Sequence, residues 1–308
     1  MIDGALLLDK PVGISSNRAL QEAKKLFGAK KAGHAGTLDP LASGLLILLF
    51  GEATKLATLL LEDDKEYVAT LKLGEKTATG DAEGEVIEVR PFHRSERDIA
   101  AVLAQFTGEI EQVPPMYSAL KHEGTPLYRL ARRGQEVTRT PRRVRISELE
   151  MTKLDGASLG IRVVCSKGTY IRVLAEDIGE ALGSAAHLSA LRRTASGRFG
   201  VGHATTLEVL RELAPRERSG KLLPLQALVE GLPRAELGAA EEARLRQGQA
   251  LKISGLHAGL CAVLRADGAV IGLGTADGDG NLRPLRLTQS AEKHLKSDAH
   301  TKRTQTRE

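Results

Sequence analysis

No tryptophan occurs in this 308-residue chain, and four tyrosines and five phenylalanines are its whole aromatic content. With hydrophobic residues at 42% but aromatics at 3%, a core has to be assembled from Leu, Val, Ile and Ala. Cysteine is almost as scarce. Cys165 and Cys261 stand 96 positions apart, which excludes a disulfide framework and any cysteine-based metal spacing. Each lies in an apolar run and reads as a buried thiol, so a reducing, cytoplasmic setting is expected. No apolar run approaches the roughly 18 residues of a membrane span. The opening Met1–Lys10 lacks the basic stretch of a secretory leader, so neither span nor leader is expected. A phosphate-binding P-loop and a Cys/His cluster are missing too, and no cofactor or metal is expected.

What is present concentrates in one stretch, Gly33-His34-Ala35-Gly36-Thr37-Leu38-Asp39-Pro40-Leu41-Ala42-Ser43-Gly44. Its glycines and Pro40 rule out a helix interior, so an ordered loop is expected. Pro40 biases the backbone of Asp39 toward extended geometry. The run Leu45–Phe50 that follows is too apolar to face water, so a carboxylate at its mouth is expected to be partly desolvated and to need a cation or donors beside it. The plainest reading of an Asp-Pro is a turn cap. The density of unusual residues around Asp39 argues for chemistry instead.

Along the chain, residues 4–9 read as a strand, Ser15-Ser16 as offering the N-cap of a helix over Asn17–Phe27, and Tyr67–Leu73 as an alternating strand. Ser95-Glu96-Arg97-Asp98 resembles a capping box opening a helix that reaches Phe106. Residues 113–121, with two prolines, read as an ordered loop. Two strands are expected over 146–165, then a Lys167-Gly168 turn and a helix to Leu182 capped by Thr169. Beyond Gly231-Leu232-Pro233 the pattern is a short helix near 239–247 and strands near 249–253, 260–265, 269–275 and 282–287. Residues 290–308 are polar and aperiodic and are expected to be a disordered tail.

Net charge is +5, which alone says little about partners. Its distribution says more. Between Lys121 and Arg145 stand eight Lys/Arg against two Glu, an excess larger than that of the whole chain. Tyr117 stands just before this segment and Tyr128 within it. A concentrated basic patch with aromatics beside it is the footprint of a polyanion-binding surface, and nucleic acid is the expected partner.

The residues Gly33–Pro40 fit the G-H-x-G-x-L-D-P signature of the TruB family of pseudouridine synthases. Leu8-Asp9-Lys10-Pro11-Val12-Gly13 is similar to the family's opening motif, Asp64-Lys65-Glu66-Tyr67 to its D-K-x-Y context, and Lys167-Gly168-Thr169-Tyr170-Ile171-Arg172 to its K-G-T-Y-I-R string. Residues 113–121 resemble a further family segment, and Leu191 falls on the family's pocket leucine, ahead of Arg192-Arg193, which offer charge to a nucleic-acid backbone. The resemblance covers residues 4–229 well and 230–287 more loosely.

It implies an α+β fold: a catalytic domain over 1–229 with a central mixed or antiparallel sheet flanked by helices, and a β-rich, PUA-like RNA-binding domain over 230–289. It implies isomerisation of uridine to pseudouridine at position 55 in the T-arm loop of tRNA, by a monomer without cofactor or metal. Asp39 would be the nucleophile, at ribose C1′ or base C6, or first a base on a glycal route. Tyr67 would stack on the flipped base, Tyr170 would carry or orient a proton, and Arg172 would hold Asp39, since a guanidinium does not deprotonate. His34 would stack on, or fill the space left by, extruded nucleotides, and Leu191 would line the pocket. Two other classes fit parts of the chain. An RNA-binding or tRNA-folding helper needs the basic segment and the C-terminal domain but not Asp39. An aspartate-nucleophile hydrolase of small molecules needs Asp39 but not the basic segment, and the D-x-D pattern of phosphoryl-transferring aspartates is absent.

Overall fold

A computed structural model describes residues 2–93, 95–118 and 120–289. The expected tail over 290–308 lies outside the described residues. In the first half of the chain, β1 (Gly4–Lys10), α1 (Ser16–Phe27), β2 (Ala32–Ala35) and β3 (Ala42–Phe50) are followed by a short 3-10 turn, α2 (Ala57–Glu62) and β4 (Lys65–Leu73). The hairpin β5 (Glu75–Thr77) and β6 (Val86–Val89), α3 (Glu96–Gln105) and β7 (Gly108–Gln112) come next. Short pieces β8 (Lys121–His122), β9 (Thr125–Pro126) and α4 (Leu127–Ala131) lead to β10 (Arg142–Asp155), β11 (Ser158–Cys165), α5 (Ile171–Ala181), β12 (Ala186–Ser196) and β13 (Phe199–Gly200). Three small helices, α6 (Leu207–Glu212), α7 (Pro215–Ser219) and α8 (Leu225–Val229), precede a second unit of β14 (Arg234–Leu237), α9 (Ala239–Arg246), β15 (Leu251–Lys252), β16 (Gly259–Arg265), β17 (Val270–Ala276) and β18 (Asn281–Leu287).

Nine strands form one sheet with the path β1-β3-β12-β4-β11-β10-β7, β2 pairing with β3 and β13 with β12. It is mixed: β12 runs parallel to β3 and antiparallel to β4. The second sheet has the order β14-β16-β17-β18-β15. Leu45–Phe50 lie in β3, between β1 and the strands β12 and β2, each 0% exposed, with alternate residues packing on opposite faces. One face packs with Ala262, Leu264, Val270 and Leu273 of the second sheet, so the two sheets share a core. Burying each such Leu or Ile contributes roughly 1.5–3 kcal/mol, enough to hold strands whose aromatic content is so low.

Local signals explain most element boundaries. The Ser15 hydroxyl accepts from Arg18 N, and Gly28 closes α1 in the left-handed region at φ 60°. Ser95 and Asp98 form the reciprocal capping box of α3. Three expectations are corrected. Gly33-His34-Ala35 is not loop but part of β2, because its backbone finds partners on Leu48 and its neighbours in β3. Thr169 does not cap α5. Its hydroxyl donates to Ser166 O inside the turn, and Tyr170 takes the N-cap position. Strand pairing over 249–253 shrinks to Leu251–Lys252, and β14, which pairs in parallel with β16, adds a strand that Pro233 and a short apolar run had concealed.

Helix α5 also carries a pH-dependent liability. Burial, and next the neighbouring Glu176, push the Asp177 carboxyl up from 3.8 to about 6. Below about pH 4 folded and unfolded chains both hold this proton. Above it the unfolded chain releases the proton first, so stability falls as pH rises from 4 to 6 and stays lowered. Asp177→Asn is expected to add about 2 kcal/mol at pH 7 and nothing near pH 3.5, read from urea midpoints at the two values. Equal midpoint shifts at both pH values would contradict this account.

Candidate active site

The loop between β2 and β3 is held from three sides. The Ser16 hydroxyl, at the start of α1, accepts from Leu38 N at 2.7 Å and donates to Leu38 O at 2.9 Å. Gly13 N donates to Pro40 O, and Ala42 N to Asp39 O, closing the turn on which Asp39 sits. Beneath it Lys10 is fully enclosed, its Nζ donating to Pro11 O and Ile14 O at 2.8 and 2.7 Å. Burial pushes the Lys10 ammonium down to about 8, and the Asp39 charge opposes that fall.

Register explains why the loop emerges here. β12 covers β3 from Ala42 to Gly44, and β2 takes over the same side from Ile47 to Phe50. The loop leaves through the gap between them. Gly44 has φ 97°, and a Cβ there would lie 2.2 Å from Arg193 O, so only glycine lets β12 approach.

Asp39 meets Arg172, from the first turn of α5, at 2.9 Å between Oδ2 and Nη2. The Arg172 side chain is 7% exposed. It also lies 3.5 Å by Nε from Asp81 Oδ2, donates through Nη1 to Thr79 O at 3.0 Å and through Nη2 to Tyr117 O at 2.7 Å. Asp39 is partly enclosed, its side chain 44% exposed, with the expected cation beside it. The buried carboxylate is Asp81, at 5%. Thr79 Oγ1 donates to it at 2.6 Å, and Glu83 N donates to the same oxygen.

Tyr67 opens β4 opposite Arg193 of β12 and packs, with Leu191, between the two apolar clusters on either side of this gap. Leu191 itself pairs with Ala42 and Ala69. Burial pushes the phenols of Tyr67 and Tyr170 above their ordinary range. Tyr170 is fixed by its backbone: the buried Gln112 side chain accepts from Tyr170 N at 3.0 Å and donates to Tyr170 O at 3.3 Å. His34 is half-buried on β2. Burial, then the Arg193 guanidinium, push its imidazole below the usual range, so it is uncharged at neutral pH. Its Nδ1 has no partner among the described residues.

Asp39, Arg172, Tyr67, Tyr170, Leu191 and His34 thus belong to one region built on the β2–β3 loop, the edge of β4, β12 and the start of α5. Sequence reading missed Asp81 and Gln112 and gave Arg193 a different role. Asp81 sits in the polar Thr77–Gly84 loop without a motif of its own, and Gln112 and Arg193 declare themselves only by burial. Arg192-Arg193 is a correction. Arg192 forms a fork on Asp9, at 3.0 and 2.7 Å, and Arg193 is 1% exposed, so neither offers free charge to a nucleic-acid backbone.

Residues 24–171 match the TruB family pseudouridylate synthase N-terminal domain, 172–235 the tRNA pseudouridylate synthase B C-terminal domain, and 233–288 the pseudouridine synthase II TruB C-terminal domain. A tRNA pseudouridine synthase B of Aromatoleum aromaticum is 52% identical over 94% of this chain and 94% of its own. This chain belongs to the TruB family of pseudouridylate synthases. A tRNA pseudouridine synthase B of Burkholderia mallei is 53% identical over 93% of this chain and 97% of its own. Among solved structures, a chain of a Cbf5-Nop10-Gar1 complex superposes with a TM-score of 0.71 at 28% identity, covering 94% of this chain and 84% of that one. This TruB-family enzyme therefore has the pseudouridine synthase fold, an α+β architecture with a central mixed sheet. Among its described residues no helix is long and apolar enough to cross a membrane, and no three His, Cys, Asp or Glu are placed to hold a metal.

Proposed function

We propose that this TruB-family chain is a cytoplasmic enzyme that isomerises uridine to pseudouridine at position 55 in the T-arm loop of tRNA, with Asp39 as the nucleophile. The observation that carries the assignment is the Arg172 fork. It holds an accessible carboxylate at 2.9 Å in the region to which Tyr67, Tyr170 and Leu191 also belong. The names of the relatives support tRNA as the substrate class.

The reaction breaks the bond from ribose C1′ to N1 of uracil and forms one from C1′ to C5. The C5 hydrogen leaves and N1 gains one, so nothing is added or lost. Asp39 serves each open route with the same carboxylate: attack at C1′, attack at C6, or removal of a ribose proton on the way to a glycal. All three require the base to leave its stack. Tyr67 offers a ring face to the flipped base, and Tyr170 a proton carrier or orienter. The uncharged His34 imidazole suits stacking on extruded nucleotides.

The test is incubation with unmodified tRNA transcript and mapping of pseudouridine by chemical adduct and primer extension. A stop at the T-arm uridine is expected. No adduct anywhere in the transcript would overturn the reading.

A second role, RNA binding or refolding without chemistry, is favoured as an addition by the Lys121–Arg145 segment. There the Tyr128 ring lies 6.0 and 5.7 Å from the Arg129 and Arg132 guanidinium carbons. Arg142 and Arg143 are exposed at the start of β10. The five-stranded C-terminal sheet, read as PUA-like, would extend this surface. Replacing Arg132, Arg133, Arg142 and Arg143 together by neutral residues is expected to weaken tRNA binding and flatten its salt dependence. Each lost phosphate contact should remove about 0.7 to 0.9 from the log–log slope. An unchanged slope in a filter-binding series would mean that these side chains face only solvent.

A further inference from the structure

Helix α5 starts on an unusual residue. Tyr170 holds its N-cap position, where Ser, Thr, Asp or Asn is the rule, and the Tyr170 side chain makes no capping hydrogen bond. In a capping box the third helical residue, a Glu or Gln, reaches back to the N-cap N–H. Here that residue is Val173, which has no group to offer. The contact comes instead from Gln112, 58 positions upstream at the end of β7. Its Oε1 accepts from Tyr170 N at 3.0 Å, and its Nε2 donates to Tyr170 O at 3.3 Å, beside the helical bond from Leu174 N at 3.0 Å. An N–H only donates and a carbonyl only accepts, so the two bonds fix which way the amide faces.

Gln112 is 2% exposed. Burying an amide is costly unless it is hydrogen bonded, and both of its ends are spent on this one residue. The mount is a sheet position. Gln112 pairs with Arg142 of β10, so it stands where the chain leaves the sheet for the basic excursion over 113–141 and where it returns. We infer that Gln112 is a positioning residue for the active site: its amide closes the start of α5 from outside the helix and so sets Tyr170 relative to Asp39. This rests on the function proposed above. Arg172, two residues further along α5, has anchors of its own on Asp81, Thr79 O and Tyr117 O. The Tyr170 N–H has Gln112 as its partner. The effect of losing Gln112 therefore falls first on Tyr170.

Two measurements test the inference. The first is amide hydrogen exchange, read by mass spectrometry on peptides covering residues 166–176. Gln112→Met keeps the side-chain length and removes donor and acceptor. It is expected to speed exchange at the Tyr170 N–H by about tenfold or more while α3 and β12 keep their protection. The second is a double-mutant cycle in single-turnover pseudouridine formation. Gln112→Met alone should slow the step on the order of a hundredfold, with tRNA affinity within a few fold. In a Tyr170→Phe background it should cost less than about fivefold, because the hydroxyl it places is gone. In a Tyr67→Phe background, altered on β4 and not on α5, the full cost should persist. Gln112→Glu still accepts from Tyr170 N but turns a second acceptor toward Tyr170 O, so its rate should fall between wild type and Met. It also replaces the Met variant if that does not fold. Rate losses additive with Tyr170→Phe, unchanged exchange at Tyr170, or exchange raised equally throughout the domain would overturn the inference. If the wild-type chain forms no pseudouridine, the functional proposal fails, while the exchange measurement still decides whether Gln112 holds Tyr170.

Discussion

Asp39→Asn is expected to lower pseudouridine formation by more than about a thousandfold while tRNA affinity stays within a few fold. The replacement keeps side-chain size, and the amide oxygen can still accept from Arg172 Nη2, 2.9 Å from the native carboxylate. The loop that carries it is held by Ser16 on Leu38, Gly13 on Pro40 and Arg193 on Gly36, none of which uses the carboxylate. Because the side chain is 44% exposed, its neutralisation changes folding stability little. What is lost is an anion that can attack carbon or take a proton. Single-turnover assays with excess enzyme, beside a binding isotherm and a thermal melt, separate these effects. Appreciable turnover by the Asn protein would remove Asp39 from the chemistry.

Replacing Arg172 should do two different kinds of damage, depending on the replacement. The guanidinium satisfies Asp39, Asp81, Thr79 O and Tyr117 O at once. Lysine keeps the charge, but a single ammonium does not reproduce a planar fork with four partners. Arg172→Lys should therefore fold and aim Asp39 poorly, with a rate loss on the order of a hundredfold. Arg172→Ala also strands Asp81, whose side chain is 5% exposed, without its cation. Breaking such a pair costs about 3–5 kcal/mol, so the Ala variant should melt well below wild type as well as losing activity. Asp81→Asn in the Ala background should restore part of that stability and none of the rate, because the buried charge is removed but Asp39 remains unaimed. Rates, melts and their combination read this out. Wild-type rate plateaus for both Lys and Ala variants would take Arg172 out of the site.

The two predictions rest on features of unequal legibility. Local chemistry in the chain was enough to locate α1 by its Ser15-Ser16 cap, α3 by its Ser95–Asp98 box, and β3 by the apolar Leu45–Phe50 run. These signals act over a few residues, so no tertiary context was needed to see them. The motifs around Asp39, Tyr67 and Arg172 carried the family, and with it the α+β fold. The local reading went wrong where backbone partners came from afar. Gly33–Ala35 became a strand because β3 lay alongside, and Thr169 yielded the cap position to Tyr170 because the turn at Ser166 claimed its hydroxyl.

How the charges are distributed in the site was a matter for the folded chain. Asp81 and Arg172 are 91 positions apart, and nothing in the Thr79-Gly80-Asp81 string marks it as the buried carboxylate. Asp39, placed by its motif, was expected to be partly desolvated beside a cation, and its half-exposed side chain meets Arg172, but that Arg172 also serves the deeper Asp81 was not legible. Arg193 looked like one of two surface arginines. Sheet register makes it the buried plug of the gap between β12 and β2, with Gly36 and Leu45 carbonyls as its partners. Composition and motifs name the residue types that chemistry needs. Burial, and hence which charge is desolvated, depends on contacts between segments tens to more than a hundred residues apart, and these arise only when the sheet closes.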